Sequence, residues 1–125
     1  LARADDDLVR YQAYAAIANL GTDDSVADLV AAFHHDPSPT VQINGGGCGV
    51  AHCGMLTRAQ RMMAVPGLLE MVEDQALAGA IQAYAYRALR EITDENLPDD
   101  ARQWREWYAT KFAETLEKFR KLVGG

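Results

Sequence analysis

The stretch VRYQAYAAIANLG, residues 9–21, decides the fold. Its small and apolar residues fall at Val9, Ala13, Ala16, Ile17 and Leu20, the spacing of an amphipathic helix that buries one stripe. Shifted by 72 residues, the same spacing recurs as Ile81, Ala85, Ala88, Leu89 and Ile92. Shifted by 32, it falls on VQINGGGCGVAHC and aligns Val41, Gly45, Cys48, Gly49 and His52. A second kind of segment lies between these copies. SVADLVAAF (25–33) and AVPGLLEMV (64–72) superpose Val26 on Val65, Leu29 on Leu68, Val30 on Leu69 and Phe33 on Val72.

Two amphipathic helices alternating with periods in the thirties predict an α-solenoid, because neither helix hides its apolar stripe without its neighbours. The breaks agree with that reading. Pro37 and Pro39 end one helix and begin the next, since proline lacks an amide donor and restricts the residue before it. Thr57 with Gln60 reads as a capping box, and Asp23 or Asp24, and Asp99 or Asp100, read as caps. The expected fold is all-α, one domain over residues 1–125. About three antiparallel hairpins fill 1–98, and a long capping helix closes the array over 99–125.

The V-R-x2-A-x2-A-I-x2-L helix at Val9 to Leu20 and the A-V-P-x-L-L-x-x-V-x-D helix at Ala64 to Asp74 resemble the HEAT-repeat family, in its bacterial phycobilisome-lyase-like form. The ending LREITDENLPDDARQWREWY (89–108) is similar to the closing segment of that group, with its Trp-x-x-Trp pair at Trp104 and Trp107. Asp94 stands where that segment usually has glycine. The resemblance implies stacked hairpins, and a stiff surface of that kind suits recognition of other proteins. The group also holds enzymes acting on bilins and enzymes excising alkylated bases, but neither kind of site maps onto residues of this chain.

Composition narrows the function. At 125 residues, 49% hydrophobic and 24% charged, the chain is long enough to bury a core without staples. The net charge of −6 is uneven: residues 1–100 hold 15 acids against 6 bases, and 101–125 hold 3 against 6. An acidic body repels a phosphate backbone, so no nucleic-acid partner is expected. No apolar run approaches the roughly 20 residues that cross a bilayer, so no membrane insertion is expected either. The chain begins at Leu1 and reads as processed or as a fragment, which leaves its compartment open.

The middle copy, NGGGCGVAHCGM (44–55), carries the candidate chemistry. It lacks the lysine and hydroxyl of a phosphate loop and the βαβ setting of a dinucleotide site. Cys48 and His52 lie four residues apart on one helical face and Cys53 adjoins them, which makes these three the candidate metal ligands. They fall short of the paired spacings of structural zinc sites and of the haem-attachment pattern. In a continuous helix Cys48 and Cys53 are separated by about 7.5 Å along the axis, beyond disulfide reach, so both thiols read as reduced. Gly45 and Gly49 read as inward and Gly46 and Gly47 as outward. Replacing the outward pair with alanine is therefore expected to add about 1–2 kcal/mol.

The remaining candidates are surface residues. Trp107, Tyr108, Phe119, Lys118, Arg120 and Lys121 lie on a terminal helix long enough to project past the hairpins, and read as an interaction surface. His34 and His35 read as helix-end residues favoured by the dipole, Arg58 and Arg61 as solvated, and the methionines as core filler. No nucleophile–base set can be assembled. The sequence thus reads as a non-enzymatic scaffold without a cofactor, binding a protein partner or other copies of itself. A metal- or haem-associated module at Cys48, His52 and Cys53 is the first alternative, and a lyase or other enzyme the second.

Overall fold

In a computed structural model, which describes residues 6–122, the chain is all-helical and no strand occurs among those residues. Residues 1–5 and 123–125, the two ends of the single domain read from the sequence, lie outside it. Helix α1 spans Asp7–Leu20, with Asp6 accepting from the Leu8 amide at 2.8 Å and Gly21 closing it at φ 62°. Helix α2 is Asp23–His35. Its cap is Thr22 in a reciprocal box with Ser25, and not Asp23 or Asp24, which sit inside the first turn. Pro39–Val41, a π-helical segment Gln42–Gly47 and Cys48–Ala51 run on as one helix, α3.

Helix α4, Arg58–Met62, starts at the expected Thr57–Gln60 box, and α5 is Val65–Glu73. Pro66 has no amide for the Met62 carbonyl, so the rod breaks between them. Helix α6, Gly79–Thr93, ends on Asp94 at φ 61°. A left-handed residue closes that helix even without glycine, and aspartate is among the side chains that tolerate the conformation. Helix α7, Ala101–Leu122, is capped by Asp100, which accepts from the amides of Arg102 (3.0 Å) and Gln103 (3.4 Å).

The helices fall into two layers. In one, α3 lies between α1 and α6; in the other, α4 and α5 lie between α2 and α7. The stripes read for α2, α5 and α6 face the core: Leu29, Phe33, Val65, Leu68, Leu69, Ile81, Ala85, Ala88, Leu89 and Ile92 are buried. In α1 the reading needs correction. Arg10, Ala13, Tyr14 and Ala18 are buried, whereas Val9 and Leu20 are exposed. Among the described residues this helix packs chiefly against α2 and α3, and its buried row is turned toward them. There Arg10 donates through Nε to Asp36 Oδ2 at 2.9 Å, Tyr14 donates its hydroxyl to the same oxygen at 3.0 Å, and the Ser38 amide donates to Oδ1 at 2.9 Å.

Two glutamines tie α3 to α2 and α6 to α5. Gln42 donates to the Phe33 and His34 carbonyls, each at 3.0 Å, and Gln82 donates to the Asp74 carbonyl at 2.6 Å. They occupy matching register positions, one after Val41 and one after Ile81. Each second helix therefore satisfies the open carbonyls at the end of the first.

Helix α7 does not project. The Arg105 guanidinium holds Glu73 in a two-pronged pair at 2.9 Å, and at the other end the Arg58 guanidinium lies 4.2 Å from the centre of the Phe119 ring. The α4–α5 rod, residues 58–73, underlies α7 from Arg105 to Phe119, and Leu122 beyond it is exposed. Phe119 and Trp107 are only 2% and 5% exposed. They are core residues and not the interaction surface expected of them; Tyr108 is half-buried, while Lys118, Arg120 and Lys121 remain on the solvent side.

Candidate functional site: the end of α3 and the groove beside it

The glycines are set by what surrounds α3. It is the central helix, and Gly45, Gly46 and Gly47 each face a different neighbour. A Cβ on Gly45 would lie 2.9 Å from the Tyr14 ring on α1, and one on Gly47 would lie 3.0 Å from the Tyr84 ring on α6. A Cβ on Gly46 would come within 2.3 Å of the Phe33 amide nitrogen and 2.7 Å of the Leu29 carbonyl oxygen on α2. The outward assignment of Gly46 and Gly47 is thus overturned. The open side of α3 is the Thr40–Asn44–Cys48 side; Gly46 and Gly47 face α2 and α6, and the backbone of α3 touches the backbone of α2. The segment is helical, with Gly47 at φ −61°. Within it the Cys48 amide donates to the Ile43 carbonyl five residues back. Such π turns inside helices occur often at functional sites.

Helix α3 stops at Ala51. His52 leaves the helix at φ −160°, ψ −7°, and the amides of His52 and Cys53 both donate to the Cys48 carbonyl, at 2.9 and 2.7 Å. Gly54 at φ 80° turns the chain so that the Met55 amide donates to the Ala18 carbonyl at 3.0 Å. Arg61, expected in solvent, is buried. It donates to the carbonyls of Gly49 (2.7 Å), Val50 (2.9 Å) and Cys53 (3.2 Å), the open end of α3. Burial pulls its basicity down and Glu91 pulls the other way. The guanidinium serves as the cap that a glycine or a water supplies at other helix ends.

This turn overturns the expectation of two reduced thiols. Because the helix ends before Cys53, the Cα atoms of Cys48 and Cys53 lie 5.2 Å apart and their sulfurs are joined as a disulfide. His52 lies between the two cysteines in the chain. Its Nε2 is 3.6 Å from Cys48 Sγ, and its Nδ1 is 3.0 Å from Glu91 Oε2 on α6. Glu91 is in turn held by Arg87 Nε at 3.1 Å. The ligand atoms of Cys48, His52 and Cys53 all lie within 4.8 Å of one another. The two other histidines are engaged away from this turn. His34 Nε2 meets Asp74 Oδ2 at 2.8 Å, and its ring stacks on His35 at 4.0 Å. The Asp74 carboxyl is held below its ordinary value by His34 and the Ala76 amide.

Sequence reading named the three ligand residues but missed Glu91 and Arg61. The sequence shifts that align the helices contained a signal for Glu91. Shifts of 32 and 72 place His52 and Glu91 over Leu20 and Asn19, adjacent positions on neighbouring copies. Arg61 had no such signal, because its role depends on where α3 stops.

An open groove of about 420 Å³ borders the same segment, between α1 and α3, lined among others by Leu8, Tyr11, Val41, Asn44 and Cys48. Leu8 is 61% and Tyr11 40% exposed. Comparison with protein-family models, curated proteins and solved structures finds no match. Among the described residues, no helix is long and apolar enough to cross a membrane.

Proposed function

We propose that the protein is a non-enzymatic helical-repeat scaffold of the HEAT-like kind, whose binding surface is the groove between α1 and α3. The observation that carries this reading is the pair of large apolar side chains, Leu8 and Tyr11, left exposed on the outer flank of α1 beside that groove. Three support points concern the array: alternation of two helix types, their separation into two layers, and the matching roles of Gln42 and Gln82. In such an array the flank of an outermost helix is where another helix would stack, because each unit buries its apolar side on the next. The partner of this reading is an amphipathic helix of another protein or of a second copy, seated by its own apolar side chains.

The test is a photo-reactive amino acid placed at Leu8, with the same group at the exposed position Glu117 as the control. Cross-linking in cells is expected from position 8 to a defined protein, or to a second copy, and to fall several-fold when Tyr11 is replaced by aspartate. Cross-linking from position 8 no stronger than from position 117 contradicts the proposal. Sedimentation of the purified chain separates a second copy, which gives concentration-dependent mass, from a different protein.

A further inference from the structure

We infer that Cys48, His52 and Cys53 form a thiol-gated site for a single zinc-class cation, available once the disulfide is reduced. This inference goes beyond the scaffold reading and stands without it.

The ligand chemistry and the geometry argue together. Two thiolates and one imidazole are a donor set that favours zinc over calcium or magnesium, which take oxygen ligands. For a tetrahedral ion with metal–sulfur bonds of about 2.3 Å and metal–nitrogen bonds of about 2.0–2.1 Å, the sulfur and nitrogen sit about 3.5 Å apart. In the disulfide form Cys48 Sγ and His52 Nε2 are 3.6 Å apart and all three ligand atoms lie within 4.8 Å of one another, so after reduction the two sulfurs have only to part around the ion. The imidazole is also oriented as metal sites require. The Glu91 carboxylate accepts from Nδ1, which puts the proton there and leaves the lone pair of Nε2 facing the sulfur. A carboxylate behind the ligating histidine is the usual outer partner of such an ion. Arg87 holds that carboxylate behind His52, and Arg61 holds the Cys53 carbonyl, so His52 and the Cys53 end of the ligand loop are held before any ion binds.

Three protein ligands leave one position of a tetrahedron open for water, unlike the closed four-ligand structural sites. The disulfide and the metal exclude each other, since ligation needs both sulfurs as thiolates. A dithiol reductant would transfer two electrons and two protons to the Cys48–Cys53 bond, leaving two thiols and itself becoming a disulfide. Binding of the divalent cation then releases the two thiol protons. Because Cys48 also lines the groove beside α1, a change of state at the sulfur alters that wall.

The experiment uses the full chain, reduced with dithiothreitol, desalted without oxygen and titrated with cobalt(II), then with zinc(II). One equivalent of cobalt is expected, with intense thiolate-to-metal absorption and visible bands of tetrahedral intensity, bleached by one equivalent of zinc. The oxidised chain gives neither. Cys53→Ser is expected to weaken zinc binding at least 100-fold. Glu91→Gln weakens it about 10- to 100-fold while leaving the two cysteines able to form the disulfide. Circular dichroism of each variant, with His52→Ala as a second ligand deletion, separates loss of the site from loss of the fold. Absence of the thiolate–cobalt absorption in the reduced, folded wild type overturns the inference, as does unchanged zinc affinity in folded Cys53→Ser and His52→Ala.

Discussion

Asp36→Ala is expected to destabilise the fold by about 3–5 kcal/mol, the range for removing one partner of a buried ion pair. The Asp36 side chain is wholly shielded from solvent and that of Arg10 nearly so. Its two oxygens receive Arg10 Nε and Nη2, the Tyr14 hydroxyl and the Ser38 amide. Truncation removes the acceptor these donors share at the joint of α1 with the α2–α3 turn. Burial pushes the carboxyl upward, but the hydrogen bonds from Arg10, Ser38 and Tyr14 outweigh it and hold it below its ordinary value. A depressed carboxyl contributes stability fully present above its unfolded value, about 3.9, and lost as pH falls through the folded one. The difference between wild type and variant in urea unfolding is therefore large at neutral pH and shrinks below about pH 4. Combining Arg10→Met with Asp36→Leu is expected to recover most of the loss, because neither buried charge then remains and Asp7, the other carboxylate on Arg10, is exposed to solvent. A neutral-pH loss under about 1 kcal/mol for Asp36→Ala would mean that the carboxylate is solvated.

Gly46→Ala is expected to destabilise the protein by about 2 kcal/mol or more, although alanine is worth about 1 kcal/mol over glycine as a helix former. The sign is decided by backbone contact. The added methyl would lie 2.3 Å from the Phe33 nitrogen and 2.7 Å from both the Leu29 oxygen and the Phe33 Cα. None of these is the end of a flexible side chain, so α2 and α3 must separate. Gly47→Ala meets ring edges of Tyr84 and Phe33 at 3.0 and 3.1 Å and has the smaller effect. Thermal unfolding of the two single variants checks the order. A stabilised Gly46→Ala would place Gly46 on an open face.

Legibility in the sequence followed the surroundings of each helix. The stripes of α2, α5 and α6 could be read because each faces a core made by residues of similar size and spacing. The α1 stripe was misjudged because periodicity gives a helix an apolar side without saying which neighbours are missing. Tyr14 and Arg10, polar at their tips, took the buried row by satisfying Asp36. For α3 the helix was legible but its facing was not, since a glycine has no side chain to mark the face it presents. The thiol pair was misread for a related reason. Its separation depends on the stop at Ala51, which rests on Gly54 and on Arg61, twelve residues beyond the carbonyl of Gly49 that it caps. Phe119 was assigned to a projecting end because α4 and α5 were not recognised as one long broken rod beneath α7.

The central structural claim is that residues 45–49 form a packed helix crossing at the middle of the molecule, from which both the groove and the thiol turn are built. Amide hydrogen exchange at Gly46, Gly47 and Gly49 tests it most directly. If α3 is clamped between α1, α2 and α6, these amides open only with the fold, and their exchange free energies approach the global unfolding value. Exchange within a few-fold of the unprotected rate at these glycines, with α2 and α6 still protected, would contradict the account and make the stretch a loop.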